Sequence, residues 1–134
     1  MATPDQAPDP FVRVELTGHA AATTSVATAI ESAFPPPALT TRMKSDVEAR
    51  RREPIPGLML WVDTSVQVTP PGSAEVALAR AGSDTVVVEL SGEAGPKDLV
   101  EAYVRGLFES GPSTVVPESD DRRLEVDPSK PAKA

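Results

Sequence analysis

The sequence predicts an α+β domain: an antiparallel sheet in β-α-β-β-β-α order with two helices packed on one face. Three features predict it. A period-two strand leads directly into an apolar helical stripe. Three strand-like runs then follow one another across short Pro- and Gly-containing turns, and a second amphipathic helix closes the set. Such turns join antiparallel neighbours, because a parallel connection needs a crossover of about a dozen residues or more. Two helices with one apolar stripe each are buried most economically on the same sheet face. The resulting organisation is a flexible Pro-rich arm over 1–10, the α+β domain over 11–112, a C-terminal hairpin left open over 113–127, and a flexible tail over 128–134.

Each element has a local reason. Pro4, Pro8 and Pro10 fix their own φ and hold the preceding residues extended, which makes the arm loose. In 11–17, Val12, Val14 and Leu16 alternate with Arg13, Glu15 and Thr17, the pattern of a half-buried strand. Over 20–34, Val26, Ile30 and Phe34 recur every four residues beside Ala22, Ala29 and Ala33, and Pro35-Pro36-Pro37 stops that helix. Its Thr and Ser content lowers intrinsic propensity, so it depends on packing.

The segment 39–56 is basic, with Arg42, Lys44, Arg50, Arg51 and Arg52 against Asp46, Glu48 and Glu53. Met43 and Val47 at i,i+4 fit a short exposed helix over 41–53, and a loop fits equally well. Leu58-Met59-Leu60-Trp61-Val62 is unbroken in hydrophobicity, which predicts a strand covered on both faces and central in its sheet, continuing to Val68. Pro70-Pro71-Gly72 and Ala81-Gly82-Ser83-Asp84 are turns, and they place strands at 75–80 and 85–90 in a meander.

Gly95-Pro96 opens the last helix, with Pro at the first helical position and Leu99, Tyr103 and Leu107 on one stripe beside Val100 and Phe108. Gly111-Pro112 ends it. Thr114-Val115-Val116 and Arg123-Leu124-Glu125-Val126 are the two arms of the optional hairpin.

Composition sets the exclusions. The 134 residues carry 13 basic and 20 acidic side chains, a net charge of -7, and no Cys. A disulfide scaffold and any Cys-ligated metal are ruled out. A net acidic field disfavours nucleic acid, whose phosphates require a basic face. No apolar run approaches the roughly 18 residues needed to span a bilayer, and the acidic, Pro-rich start is the opposite of a signal peptide. A cytoplasmic protein is expected. The lack of Asn and the excess of Arg over Lys suggest a GC-rich, bacterial coding bias.

Few residues propose chemistry. His19 is the only histidine, at a strand-to-helix junction, and Asp63 is a carboxylate next to the apolar strand. Val62-Asp63-Thr64-Ser65 resembles the hydrophobic-Asp-Thr-x signature of aspartic proteases over four residues, with Ser65 where that family usually has Gly. Glu118-Ser119-Asp120-Asp121 lacks the alternating ligand spacing of a calcium loop and reads as a solvated turn. The helix-meander-helix order resembles that of the double-stranded-RNA-binding domain. Gly95-Pro96-Lys97-Asp98 puts a single Lys beside an Asp where that family carries a basic cluster, so the family is not assigned. No cofactor is expected.

What remains is a binding surface. Alternation places Met59 and Trp61 opposite Leu58, Leu60 and Val62, so both sit on the sheet face away from the helices, either open to a partner or covered. Arg42, Arg50, Arg51 and Arg52 concentrate positive charge on an acidic protein. The expected function is a non-catalytic protein-binding accessory or adaptor protein, or a structural subunit of a larger bacterial assembly, using Met59, Trp61 and these arginines toward a protein partner or a second copy. One alternative is a small hydrolase-like enzyme using Asp63 and His19. The other is a nucleic-acid-associated protein using Arg50 to Arg52.

Overall fold

The alternation in the first strand decides the layering. The computed structural model describes residues 10–54, 56–65 and 85–131, with 129–131 described by backbone alone. In chain order it contains β1 (Phe11–Thr17), α1 (Ala20–Ala33), α2 (Thr41–Arg51), β2 (Gly57–Asp63), β3 (Val86–Ser91), α3 (Ala94–Leu107), β4 (Phe108–Ser110), β5 (Thr114–Val115) and β6 (Arg122–Pro131). Val12, Val14 and Leu16 of β1 are fully buried, and the residues between them stay half-buried on the reverse face.

The sheet is antiparallel, in the order β2-β1-β3-β6-β4, with β5 pairing β6 off that path. Register carries the β1 pattern outward on both sides. Val14 pairs with Leu60 of β2 and Leu90 of β3, and Val88 in turn pairs with Leu124 of β6. These residues form the floor under α1 and α3, whose Val26, Ile30, Val100, Tyr103 and Val104 complete the core. Phe34 meets Tyr103 edge to face, ring centroids 5.6 Å apart. Each fully buried aliphatic side chain here contributes about 1.5–3 kcal/mol relative to exposure.

The fold class is as the sequence predicts, with one addition. The basic segment is a helix, α2, and it packs on the reverse face of the sheet, against β2 and β1. Its start is capped on both sides: Thr40 Oγ1 accepts the Met43 N–H at 3.1 Å, and Met43 Sδ accepts the Thr40 N–H at 3.3 Å. Arg50 and Arg51 in its last turn complement the helix dipole.

Three other expectations shift. The apolar strand β2 is covered by α1 and α2 on its two faces but lies at the end of the sheet, because among the described residues it pairs only with β1. The strand expected over 75–80 lies outside the described residues, and both edges of β3 are taken by β1 and β6. The hairpin at 113–127 forms through β5 and β6, but β6 also inserts between β3 and β4 and runs on to Pro131. The segment expected as a tail from 128 therefore begins inside the sheet.

Helix α3 begins two residues before the expected Pro start. Pro96 occupies the third helical position, where its missing N–H is still one of the four without an intrahelical partner. Its buried stripe is also rotated: Val100, Tyr103, Val104 and Lys97 face inward, and Leu99 is 47% exposed. Gly18 (φ 152°) and Gly92 (φ 145°) each turn a strand into a helix. A Cβ at Gly92 would also lie 3.0 Å from the Phe11 carbonyl oxygen. Among the described residues no helix is long and apolar enough to cross a membrane.

Candidate functional site

α1 ends on the core face and α2 begins on the reverse face, so the connection must round the end of the sheet. It does so at β2. The Pro35 carbonyl accepts the Asp63 N–H at 2.9 Å, on the side of β2 away from β1, while Thr64 turns its N–H inward to the Pro10 carbonyl at 2.9 Å. Backbone groups alternate direction along an antiparallel strand, so Gly57, Met59 and Trp61 point their N–H and C=O outward with Asp63, and Leu58, Leu60 and Val62 bond β1. Pro35 occupies one end of this edge.

α2 lies along the reverse face of the same strand. Its inward residues Met43, Asp46, Val47 and Arg50 follow i, i+3, i+4, i+7 spacing, and only Arg50 is fully buried. Arg50 is the anchor. Nε donates to Glu15 Oε2 at 3.1 Å, and Nη2 reaches Thr17 Oγ1 at 3.4 Å and the Pro56 carbonyl at 3.5 Å. Glu53 adds an exposed ion pair at 3.6 Å. The guanidinium fills the notch left by Gly57: a Cβ on that glycine would collide with it and with the Leu16 carbonyl oxygen.

This corrects the expectation for Arg50. At 3% exposure, and committed to Glu15, it cannot touch a partner. The Arg50-Arg51-Arg52 run is thereby split, which removes the compact basic anchor of the nucleic-acid alternative. Arg42, Lys44, Arg51 and Arg52 remain exposed, with Arg51 3.7 Å from Glu48 on its own helix. Met59 and Trp61 do lie on the reverse face, opposite Glu15 and Arg13 of β1, but both are half-buried rather than open. The Trp61 indole N–H is buried and has no hydrogen-bond partner among the described residues.

Beyond α2, no further described element packs on the reverse face over β1, β3 and β6. A groove of about 390 Å³ there is lined by Glu15, Thr17, Val87, Glu89, Arg123 and Glu125. Arg123 pairs with Glu89 at 3.0 Å across the strands, so much of its charge is internally balanced.

The residues of the enzyme alternative are not brought together. Asp63 pairs with the first residue of β1, and His19 follows the last, so the length of that strand, about 20 Å, separates them. Asp63 Oδ1 accepts the Ser65 N–H and hydroxyl at 2.9 and 2.6 Å, a local turn. His19 stands exposed at the N-cap of α1 with no side-chain cap bond. The acidic turn is structural: the Asp120 carbonyl accepts from the buried Lys97 ammonium, with Glu118 and Asp120 at positive φ. Among the described residues no three His, Cys, Asp or Glu side chains are grouped to hold a metal.

At the start of α3, Arg122 donates to Asp98 and Glu101, and Glu101 also pairs with Arg105 at 2.8 Å. Partial burial opposes the charge on Arg122, yet hydrogen bonds and Coulomb attraction from Asp98 and Glu101 outweigh it and raise its pKa above the ordinary value. This cluster fastens β6 to α3.

No protein-family model, curated protein or solved structure matches the chain.

The sequence reading missed the socket, Glu15 with Gly57, and the backbone edge. One signal was present. A glycine opening an apolar strand marks a place where another group comes close to the backbone.

Proposed function

We propose that this protein is a non-catalytic protein-binding module, an accessory or adaptor subunit of a larger bacterial assembly, that docks an acidic partner on α2. The observation that supports this reading is the exposure of Arg42, Lys44, Arg51 and Arg52 on one helix of a protein whose net charge is -7. Clustered cations on an otherwise acidic surface repel like proteins over most approaches and draw an acidic surface to one place. α2 contributes little apolar area to the fold, so its exposed charges are free to serve recognition.

The test is chemical cross-linking in source cells, comparing the wild type with the triple variant Arg42→Glu, Lys44→Glu, Arg52→Glu. These three residues form no ion pair among the described residues, so circular dichroism and the melting temperature should be unchanged. Loss of the cross-linked partner from the triple variant supports the reading. Recovery of the same partner from both proteins refutes it.

A further inference from the structure

Resting on that reading of α2, we infer that the helix is a latch: the acidic partner binds it released from the sheet, with a partner carboxylate replacing Glu15 at Arg50. The fold is built so that α2 can leave. The hydrophobic core cluster takes no residue from 35–57, so α1, α3 and the strands close it without this helix. The two tethers of α2 are anchored independently of it. The Pro35 carbonyl accepts the Asp63 N–H at 2.9 Å, and the Pro56 carbonyl accepts the Gly18 N–H at 3.0 Å. Between those anchors, among the described residues, every hydrogen bond or ion pair to the rest of the molecule runs through Arg50.

A tethered helix becomes a switch only if a ligand tells its two states apart. Here the difference is Arg50. While α2 is docked, the Arg50 side chain is 2% exposed, and a partner meets Arg42, Lys44, Arg51 and Arg52 alone. Once α2 is released, Arg50 joins Arg51 and Arg52 in an unbroken run. A partner carboxylate then gains a planar, two-pronged donor that the docked helix withholds. Glu15 is its competitor, and with its side chain 26% exposed the pair is reached from that side. One carboxylate of the chain thus stands in for the partner until a denser acidic surface displaces it. An eleven-residue helix is marginal alone, so the released segment orders again on the partner.

Apparent affinity scales with the released fraction, so weakening the latch from the sheet side must tighten binding. The probe is a synthetic Glu-rich peptide without Trp, and its control carries Gln in place of Glu. Docking is read by energy transfer from Trp61, the only tryptophan, to a dye on Ser45→Cys, an exposed α2 position in a chain with no other cysteine. The acidic peptide should bind and lower the transfer. Glu15→Gln should lower the transfer without peptide and bind the peptide about tenfold more tightly. Adding Arg50→Met to Glu15→Gln should return most of that gain.

The transfer measurement keeps Glu15 in place, so it decides the matter even where Glu15→Gln folds poorly. Binding that leaves the transfer unchanged overturns the inference, while the reading of α2 stands. Equal affinity in a folded Glu15→Gln variant does the same, as does a gain that survives Arg50→Met in full. Absence of binding at low salt overturns the reading of α2 and the inference with it. So does binding shared by the Gln control or kept by the Arg42→Glu, Lys44→Glu, Arg52→Glu variant.

Discussion

Replacing Arg50 by Met should release α2 from the sheet while the rest of the fold persists. α2 has eleven residues, and isolated helices of that length are marginal in water. Its inward face is narrow and only Arg50 is fully buried, so the anchor decides docking. The Arg50–Glu15 hydrogen bond joins two charges at 3.1 Å, with the Arg side chain 2% and the Glu side chain 26% exposed. A charge-assisted bond of this kind contributes about 1.5–3 kcal/mol net. Breaking a fully buried pair costs about 3–5 kcal/mol, and the partial exposure of Glu15 lets water recover some of that. The contacts to Thr17 and Pro56 are long and add little.

The expected loss in the local stability of α2 is therefore about 2–4 kcal/mol, or roughly thirty- to several-hundred-fold faster amide exchange over 41–51. The exchange of β1, β3 and β6 should stay slow. Combining Arg50→Met with Glu15→Gln should cost less than the sum of the two single changes, by about 1–3 kcal/mol, because each single variant strands the other group. Unchanged exchange in α2, or strict additivity in the double variant, would refute the argument that this pair holds the helix.

Further outcomes follow from neighbouring features. Gly57→Ala should cost about 1–3 kcal/mol in urea unfolding, since its Cβ meets both the Arg50 guanidinium and the Leu16 carbonyl, and adding Arg50→Met should relieve only the first contact. Tyr103→Phe should leave stability unchanged or raise it by up to about 1 kcal/mol in thermal melts, because the Tyr103 hydroxyl is buried without a partner among the described residues. Gly92→Ala should lower the urea midpoint by the equivalent of about 1–3 kcal/mol, through strain at φ 145° and the close Phe11 carbonyl. Lys97→Met should change global stability by no more than about 1 kcal/mol, because relief from burying the ammonium offsets the lost bond, while protease sensitivity in 117–121 rises.

What could be read from the sequence was whatever is local and periodic. Val12, Val14 and Leu16, and the Val26–Ile30–Phe34 spacing, report the core directly because neighbouring residues on one element share one environment. Lys97 and Arg50 went unread for the opposite reason. A cation is buried only where a distant group receives it, Asp120 in one case and Glu15 in the other, and no local pattern encodes that meeting. The rotated stripe of α3 has the same origin: Lys97 faces inward with Val100 and Val104, and Leu99 is turned out.

The apolar run of β2 was informative about its faces and silent about its flank. Hydrophobic side chains record what lies above and below a strand. Whether its backbone has a neighbour is written in the topology. The candidate site inherits this limit: Met59 and Trp61 were marked by their side chains, and the outward direction of their backbone was not.

The place of β6 in the sheet has a consequence for biosynthesis. β3 and β4 precede it in the chain, yet among the described residues β4 pairs only with β6, and β6 is the neighbour on one flank of β3. On the ribosome, Val86 and Val88 cannot gain their Val126 and Leu124 partners until residues 122–131 clear the exit tunnel. A stalled or truncated nascent chain would present an unfinished ribbon, and chaperone capture should be concentrated in that interval.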